Sequence, residues 1–138
     1  SITEEDVAVI CSEQTENKIF DMINAMAEKK QKKAMELYYD LLALKEPPMR
    51  ILYLITRQFN LLMQVKELSE EGYSAKTISE RLKMAGFIVR NCLRQAEYFS
   101  LKTLKEALQD CVRMEEAVKT GRMNDVMSVE LLLVKYSS

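Results

Sequence analysis

The chain contains neither histidine nor tryptophan, and its 138 residues include only three glycines and two prolines. The missing histidine removes the side chain best suited to proton transfer near neutral pH and the commonest metal ligand, which weighs against catalysis and metal binding. So few breakers favour an all-α fold, the more so because both prolines sit together at Pro47 and Pro48. An excess of one charge is also absent. The 20 basic and 21 acidic side chains nearly cancel, so no global positive field gathers nucleic acid or anionic lipid. Cys11, Cys92 and Cys111 are odd in number and far apart, which suits neither a secreted disulfide framework nor a C-x-x-C motif. They read as reduced thiols of a cytosolic protein, with Cys92 and Cys111 packed on apolar faces. There is no signal peptide or transmembrane run, and the chain opens without Met inside a helical pattern. A fragment of a longer protein is the expectation.

What is present is ordinary for one soluble domain with a core: 48% hydrophobic and 30% charged residues. Residues 47 to 71 read "PPMRILYLITRQFNLLMQVKELSEE". Spaced about 100° apart on a helix, Arg50, Tyr53, Arg57, Asn60, Gln64, Glu67 and Glu71 crowd one sector, while Ile51, Leu52, Leu54, Ile55, Phe59, Leu61, Leu62, Met63 and Val65 fill an arc of roughly 200°. An outer helix needs about half that width, so this stretch is expected to be the central helix of a bundle, over 48 to 71, with Phe59 and Leu62 in the core. Arg50, Arg57, Asn60, Gln64 and Lys66 interrupt it too often for a membrane span.

The remaining segments follow the same logic. Thr3 caps a short helix carrying Val7 and Ile10 that is expected to end by about Ser12. Ile19, Ile23 and Met26, then Ala34, Leu37 or Tyr38, Leu41 and Leu44, mark two helices forming an αα-hairpin joined at the Lys-rich 29 to 33 stretch. Ser74 caps a short helix with Ile78 and Leu82, ended near Gly86; Val89, Leu93 and Ala96 mark the next. Ser100 caps a helix bearing Leu101, Leu104, Leu108, Cys111 and Val118 up to Gly121, and Asn124 caps the last. The expectation is an all-α helical bundle of about six to seven helices.

Candidate chemistry is thin. No G-x-x-x-x-G-K-[ST] or other Gly-rich phosphate loop is present, and "KTGR" at 119 to 122 reads as a helix end with basic residues near its carbonyls. Glu70/Glu71 and Glu115/Glu116 are neighbours that point about 100° apart and form no acid/base pair. Neither cysteine has a histidine to activate it. No catalytic, cofactor-binding or metal-ligating residue is assigned. "EKKQKK" at 28 to 33 reads as a solvated loop in preference to a lipid-binding patch. The competing outline is a helix-turn-helix over residues 74–98, with Arg90 and Arg94 at i, i+4 as DNA contacts. Against it, Phe87 and Ile88 stand where base-reading groups are wanted.

In the last helix Met123, Met127, Leu131 and Val134 form one apolar stripe, and Val126, Val129, Leu133 and Tyr136, widened by Leu132, form another about 80 to 120° away. Such a helix is either enclosed or offers one face to another chain. The Met-bearing stripe, adaptable and near a chain end, is the candidate partner interface.

Four stretches in order, "ENKIFDMINAM", "LITRQFNLLMQVKEL", "VRNCLRQAEYFS" and "MEEAVKTG" before a Leu-rich last helix, resemble the delta-subunit family of bacterial DNA polymerase III clamp loaders, in its C-terminal part. The resemblance covers nearly the whole chain. It implies that residues 15–138 are a helical collar domain and residues 1–14 the tail of a preceding small helical domain. It also implies a non-enzymatic assembly role in a cytoplasmic DNA-replication complex, with the other clamp-loader subunits as partners and neither membrane nor direct nucleic-acid binding. The sliding clamp would be gripped by an N-terminal ATPase-like module to which nothing in this sequence corresponds, so no clamp-binding residue carries over.

Overall fold

The computed structural model describes the backbone of residues 2–138 and the side chains of residues 14–138. Among the described residues seven helices follow one another: α1 (Ile2–Ala27), α2 (Gln31–Ala43), α3 (Pro48–Glu70), α4 (Ala75–Leu82), α5 (Gly86–Ala96), α6 (Leu101–Lys119) and α7 (Asp125–Ser137). There is no strand among the described residues.

Local chemistry explains most of the boundaries. Ser74, Ser100 and Asn124 adopt extended backbone and accept hydrogen bonds from the amides of Thr77, Thr103 and Met127, as expected for N-caps. Pro47 occupies the N-cap of α3 and Pro48 its first turn, where the missing N–H costs nothing. At the stops the chain reverses through the left-handed region, at Gly72 with φ 99° and Gly121 with φ 74°. Lysines take that conformation at Lys29, Lys45 and Lys83, with φ of 62°, 65° and 55°.

α3 is the central helix. It packs on α6, α5, α1, α7 and α4, while α1 and α2 form the αα-hairpin and α7 lies on α6, α2 and α1. Ile51, Leu52, Leu54, Ile55, Phe59, Leu62 and Val65 are buried along it, and Tyr53, Arg57, Asn60 and Gln64 face solvent. The Phe59 ring meets Phe99 edge-on, centroids 5.8 Å apart, and lies 6.1 Å from Tyr136.

Four expectations need correction. No helix end occurs near Ser12: α1 runs through it, because no Gly or Pro interrupts residues 2–27 and the Thr15 hydroxyl donates to Glu46 Oε1 at 3.1 Å instead of breaking the turn. Gly86 does not stop α4; Lys83 does, and Gly86 opens α5. Leu44 is exposed because α2 ends one residue before it. Leu61 and Met63 are only half-buried, at the edges of the apolar arc. The expected Thr3 cap, and the side chains of Val7, Ile10 and Cys11, lie outside the described residues.

Candidate partner interface

α7 has two unlike sides. Val129, Leu132, Leu133 and Tyr136 are buried, whereas Met127, Leu131 and Val134 are 51%, 44% and 37% exposed. Met123, just before the cap Asn124, is half-buried. The stripe pattern arises because residues 127, 131 and 134 fall within about 60° of one another on the helix, and the buried set fills the opposite arc.

Polar ties hold that rotation. Near the start of α7 the Tyr38 hydroxyl donates to the Val126 carbonyl at 2.8 Å and the Tyr39 hydroxyl to Glu130 Oε2 at 2.6 Å. Near its end Asp110 of α6 accepts from Lys135 Nζ at 2.6 Å and from the Tyr136 hydroxyl at 2.5 Å, and Lys29 Nζ donates to the Tyr136 carbonyl at 3.3 Å. Burial pushes the Asp110 carboxyl up, but hydrogen bonds from Lys135 and Tyr136 and the charges of Lys135 and Arg113 outweigh it and hold the group below its ordinary value. Burial, then the hydrogen bond to Asp110, pushes the Tyr136 phenol above its ordinary range. Burial also raises Tyr38, with the charges of Glu130 and Asp125 adding to it. At neutral pH the clamp therefore consists of a carboxylate held by an ammonium and a neutral phenol.

Tyr39 of α2, itself exposed, reaches α7 through its bond to Glu130. Glu130 edges the stripe on the α2 side and Lys135, paired with Glu106 at 3.0 Å, on the α6 side. An apolar strip of Met, Leu and Val with a tyrosine beside it and one charge of each sign on its rims suits contact with another protein surface.

The other sequence candidates lie elsewhere. Arg90 and Arg94 are both exposed on α5, which packs on α3 and α4. Glu70, Glu71, Glu115 and Glu116 are exposed, and Glu115 pairs with Lys119 at 2.7 Å. Cys92 and Cys111 are buried free thiols; burial raises both, Cys111 to about 11. Among the described residues no group of three or more His, Cys, Asp or Glu is placed to hold a metal ion. No helix of the described residues is long and apolar enough to cross a membrane. Sequence reasoning missed Asp110 and Tyr39. The available signal was an acid one turn beyond Ala107 on the buried side of α6.

Comparison with known proteins gives consistent relatives. A family model described as DNA polymerase III delta subunit, C-terminal domain, matches residues 16–136. DNA polymerase III subunit delta of Bacillus subtilis (strain 168) is 34% identical over 134 residues, covering 97% of this chain and 39% of that protein. The solved structure of the Bacillus subtilis DNA clamp loader delta protein (YqeN) superposes with a TM-score of 0.85 at 33% identity, covering 89% of this chain and 36% of that one. The chain thus spans well under half the length of these relatives. With the all-α bundle in place and the family match running almost end to end, the chain belongs to the DNA polymerase III delta-subunit family and represents its C-terminal domain.

Proposed function

We propose that this domain is the collar of a clamp-loader delta subunit: a non-enzymatic module that holds delta among the other loader subunits while the sliding clamp is loaded during DNA replication. The observation that carries the reading is the outward stripe of Met127, Leu131 and Val134 on a helix whose opposite side is fully packed. A central helix packed against five others along its apolar arc supplies the stiffness a fixed assembly contact requires. In this reading residues 15–138 form the collar, and residues 1–14 end a preceding small helical domain. The family match beginning at residue 16 supports that division. The domain works in the cytoplasm, binds no nucleotide, and meets the sliding clamp only through other parts of the subunit.

The test is Met127→Glu, mixed with the other loader subunits, with complex mass followed by light scattering. The side chain is half exposed, so the variant melts like the parent, yet joins the complex about tenfold or more weakly. Val129→Glu, at a fully buried position, unfolds and serves as the core control. Undiminished assembly by folded Met127→Glu would overturn α7 as the contact.

A DNA-reading role for the α4–α5 corner has less support. The first turn of α5, which would meet base edges, presents Phe87 and Ile88. Sequence-specific duplex binding abolished by reversing Arg90 and Arg94 would restore it.

A further inference from the structure

α1 and α5 flank a groove floored by α3. Three adjoining hollows of about 150, 520 and 320 Å³ follow one another along it. The first two share Glu16, Gln58 and Ile88, and the last two share Phe20 and Asn91. From Met84 to Tyr98 the α5 wall runs about 20 Å, enough for about six residues of extended chain.

The floor is closed by amides. Gln95, 1% exposed, accepts from Gln58 Nε2 at 2.9 Å and donates to the Phe20 carbonyl at 3.0 Å and to Asn24 Oδ1 at 2.8 Å. No buried side-chain polar atom among the described residues lacks a partner, so the floor itself calls for no small polar ligand. The rim is different. Phe87 is 60% exposed and Ile88 also faces solvent, side by side at the start of α5.

Of the described charged residues lining the hollows, Arg94 is the one without an ion-pair partner, and Arg90 stands one turn before it on α5, beside the lining. The Arg90 guanidinium folds back over the first turn of α5, where a Cβ built on Gly86 would lie 3.2 Å from its Nη1. The ion pairs among the described residues leave both Arg90 and Arg94 without a carboxylate. The acids that line the hollows already have partners: Glu16 binds Arg57 at 3.1 Å and Glu28 binds Lys30 at 2.9 Å. Ala85 offers α5 no side-chain cap, so the positive end of the helix dipole adds to the same rim.

We propose that this groove docks a short acidic segment of another protein, with an apolar side chain against Phe87 and Ile88 and carboxylates against Arg90 and Arg94. The apolar pair decides between charged partners, because a duplex backbone would meet the guanidiniums but leave Phe87 and Ile88 in water. The surface is separate from the α7 stripe and does not depend on it, since α5 packs on α3 and α4.

The probe is a synthetic twelve-residue peptide alternating Glu with Leu and Phe, titrated into the isotope-labelled chain and followed by amide chemical shifts. Saturable, salt-weakened binding with shifts confined to α5 and the facing part of α1 is expected. The same peptide with Gln for Glu binds about tenfold or more weakly, as does the parent peptide to Arg90→Glu/Arg94→Glu or to Phe87→Ala. All three substituted side chains are exposed, so melting is unchanged; Arg90→Gln/Arg94→Gln serves in place of the reversal if that variant fails to fold. The proposal is overturned if no saturation occurs at millimolar peptide, if the shifts fall on α7, or if a single-stranded or duplex oligonucleotide of equal charge occupies the groove more tightly.

Discussion

Removing Asp110 tests whether the α6–α7 clamp contributes to stability as its geometry implies. Asp110 is 7% exposed and Tyr136 6%, so the 2.5 Å bond between them is sheltered from water. Asp110→Ala leaves the Tyr136 hydroxyl buried without an acceptor, a cost of about 1–3 kcal/mol. Lys135 is half exposed and keeps Glu106 at 3.0 Å, so losing Asp110 as its second partner adds little. Alanine in mid-helix returns about 0.5 kcal/mol. The net is about 2 kcal/mol, or about 7 °C in melting temperature for a domain of this size. Tyr136→Phe removes the donor and costs about 1 kcal/mol, since Lys135 still holds the carboxylate. The double variant has no orphaned hydroxyl, so its loss should fall short of the sum by about 1–2 kcal/mol in urea melts at neutral pH. Strict additivity would refute the clamp. The pH dependence has a definite sign. A carboxyl held below its ordinary value contributes stability that is fully present above about pH 4 and is lost as pH falls through the lowered value. The gap between parent and Asp110→Ala therefore narrows in acid, leaving the part due to the buried Tyr136 hydroxyl.

Leu62 is fully buried at the heart of α3, and Leu62→Ala should cost about 2–5 kcal/mol in equilibrium unfolding; under half a kcal/mol would mean that α3 is rotated. Lys83 holds a left-handed conformation at the end of α4, so Lys83→Gly should raise stability by up to about 1 kcal/mol, and a loss in thermal melts would contradict that backbone. In a Cys11→Ser variant, Ellman's reagent at pH 7.5 should label neither Cys92 nor Cys111 until denaturant is added, because burial hides both thiols and raises their pKa values. Rapid native labelling would place one of them at the surface.

Where a helix carries a clean apolar stripe or a side-chain cap, sequence was enough. Ser74, Ser100 and Asn124 cap as their chemistry demands, and the arc on α3 is buried from Ile51 to Val65. The misses have a common cause in long-range compensation. Three helices stop at lysines, where glycine chemistry gives no signal, and Gly86 drew attention from Lys83. Asp110 and Gln95 look like solvated residues by type, yet both are buried because partners supplied by other helices satisfy them. The sequence trace they leave is a polar side chain in register with an apolar face, as Gln95 is with Cys92 and Ala96. The two stripes of α7 were visible, but which one faces outward depends on α2 and α6 supplying Tyr38, Tyr39 and Asp110.

The amide junction of Gln58, Gln95 and Asn24 joins three helices without a single titrating group. Surface ion pairs weaken as salt is added, and carboxylates let go in acid, but neutral amides respond to neither. These amide bonds between α1, α3 and α5 are therefore buffered against ionic strength and pH in a way that neither the Lys135 clamp nor the Glu16–Arg57 pair beside them is. This part of the frame keeps its register while the charged contacts around it loosen and tighten with salt.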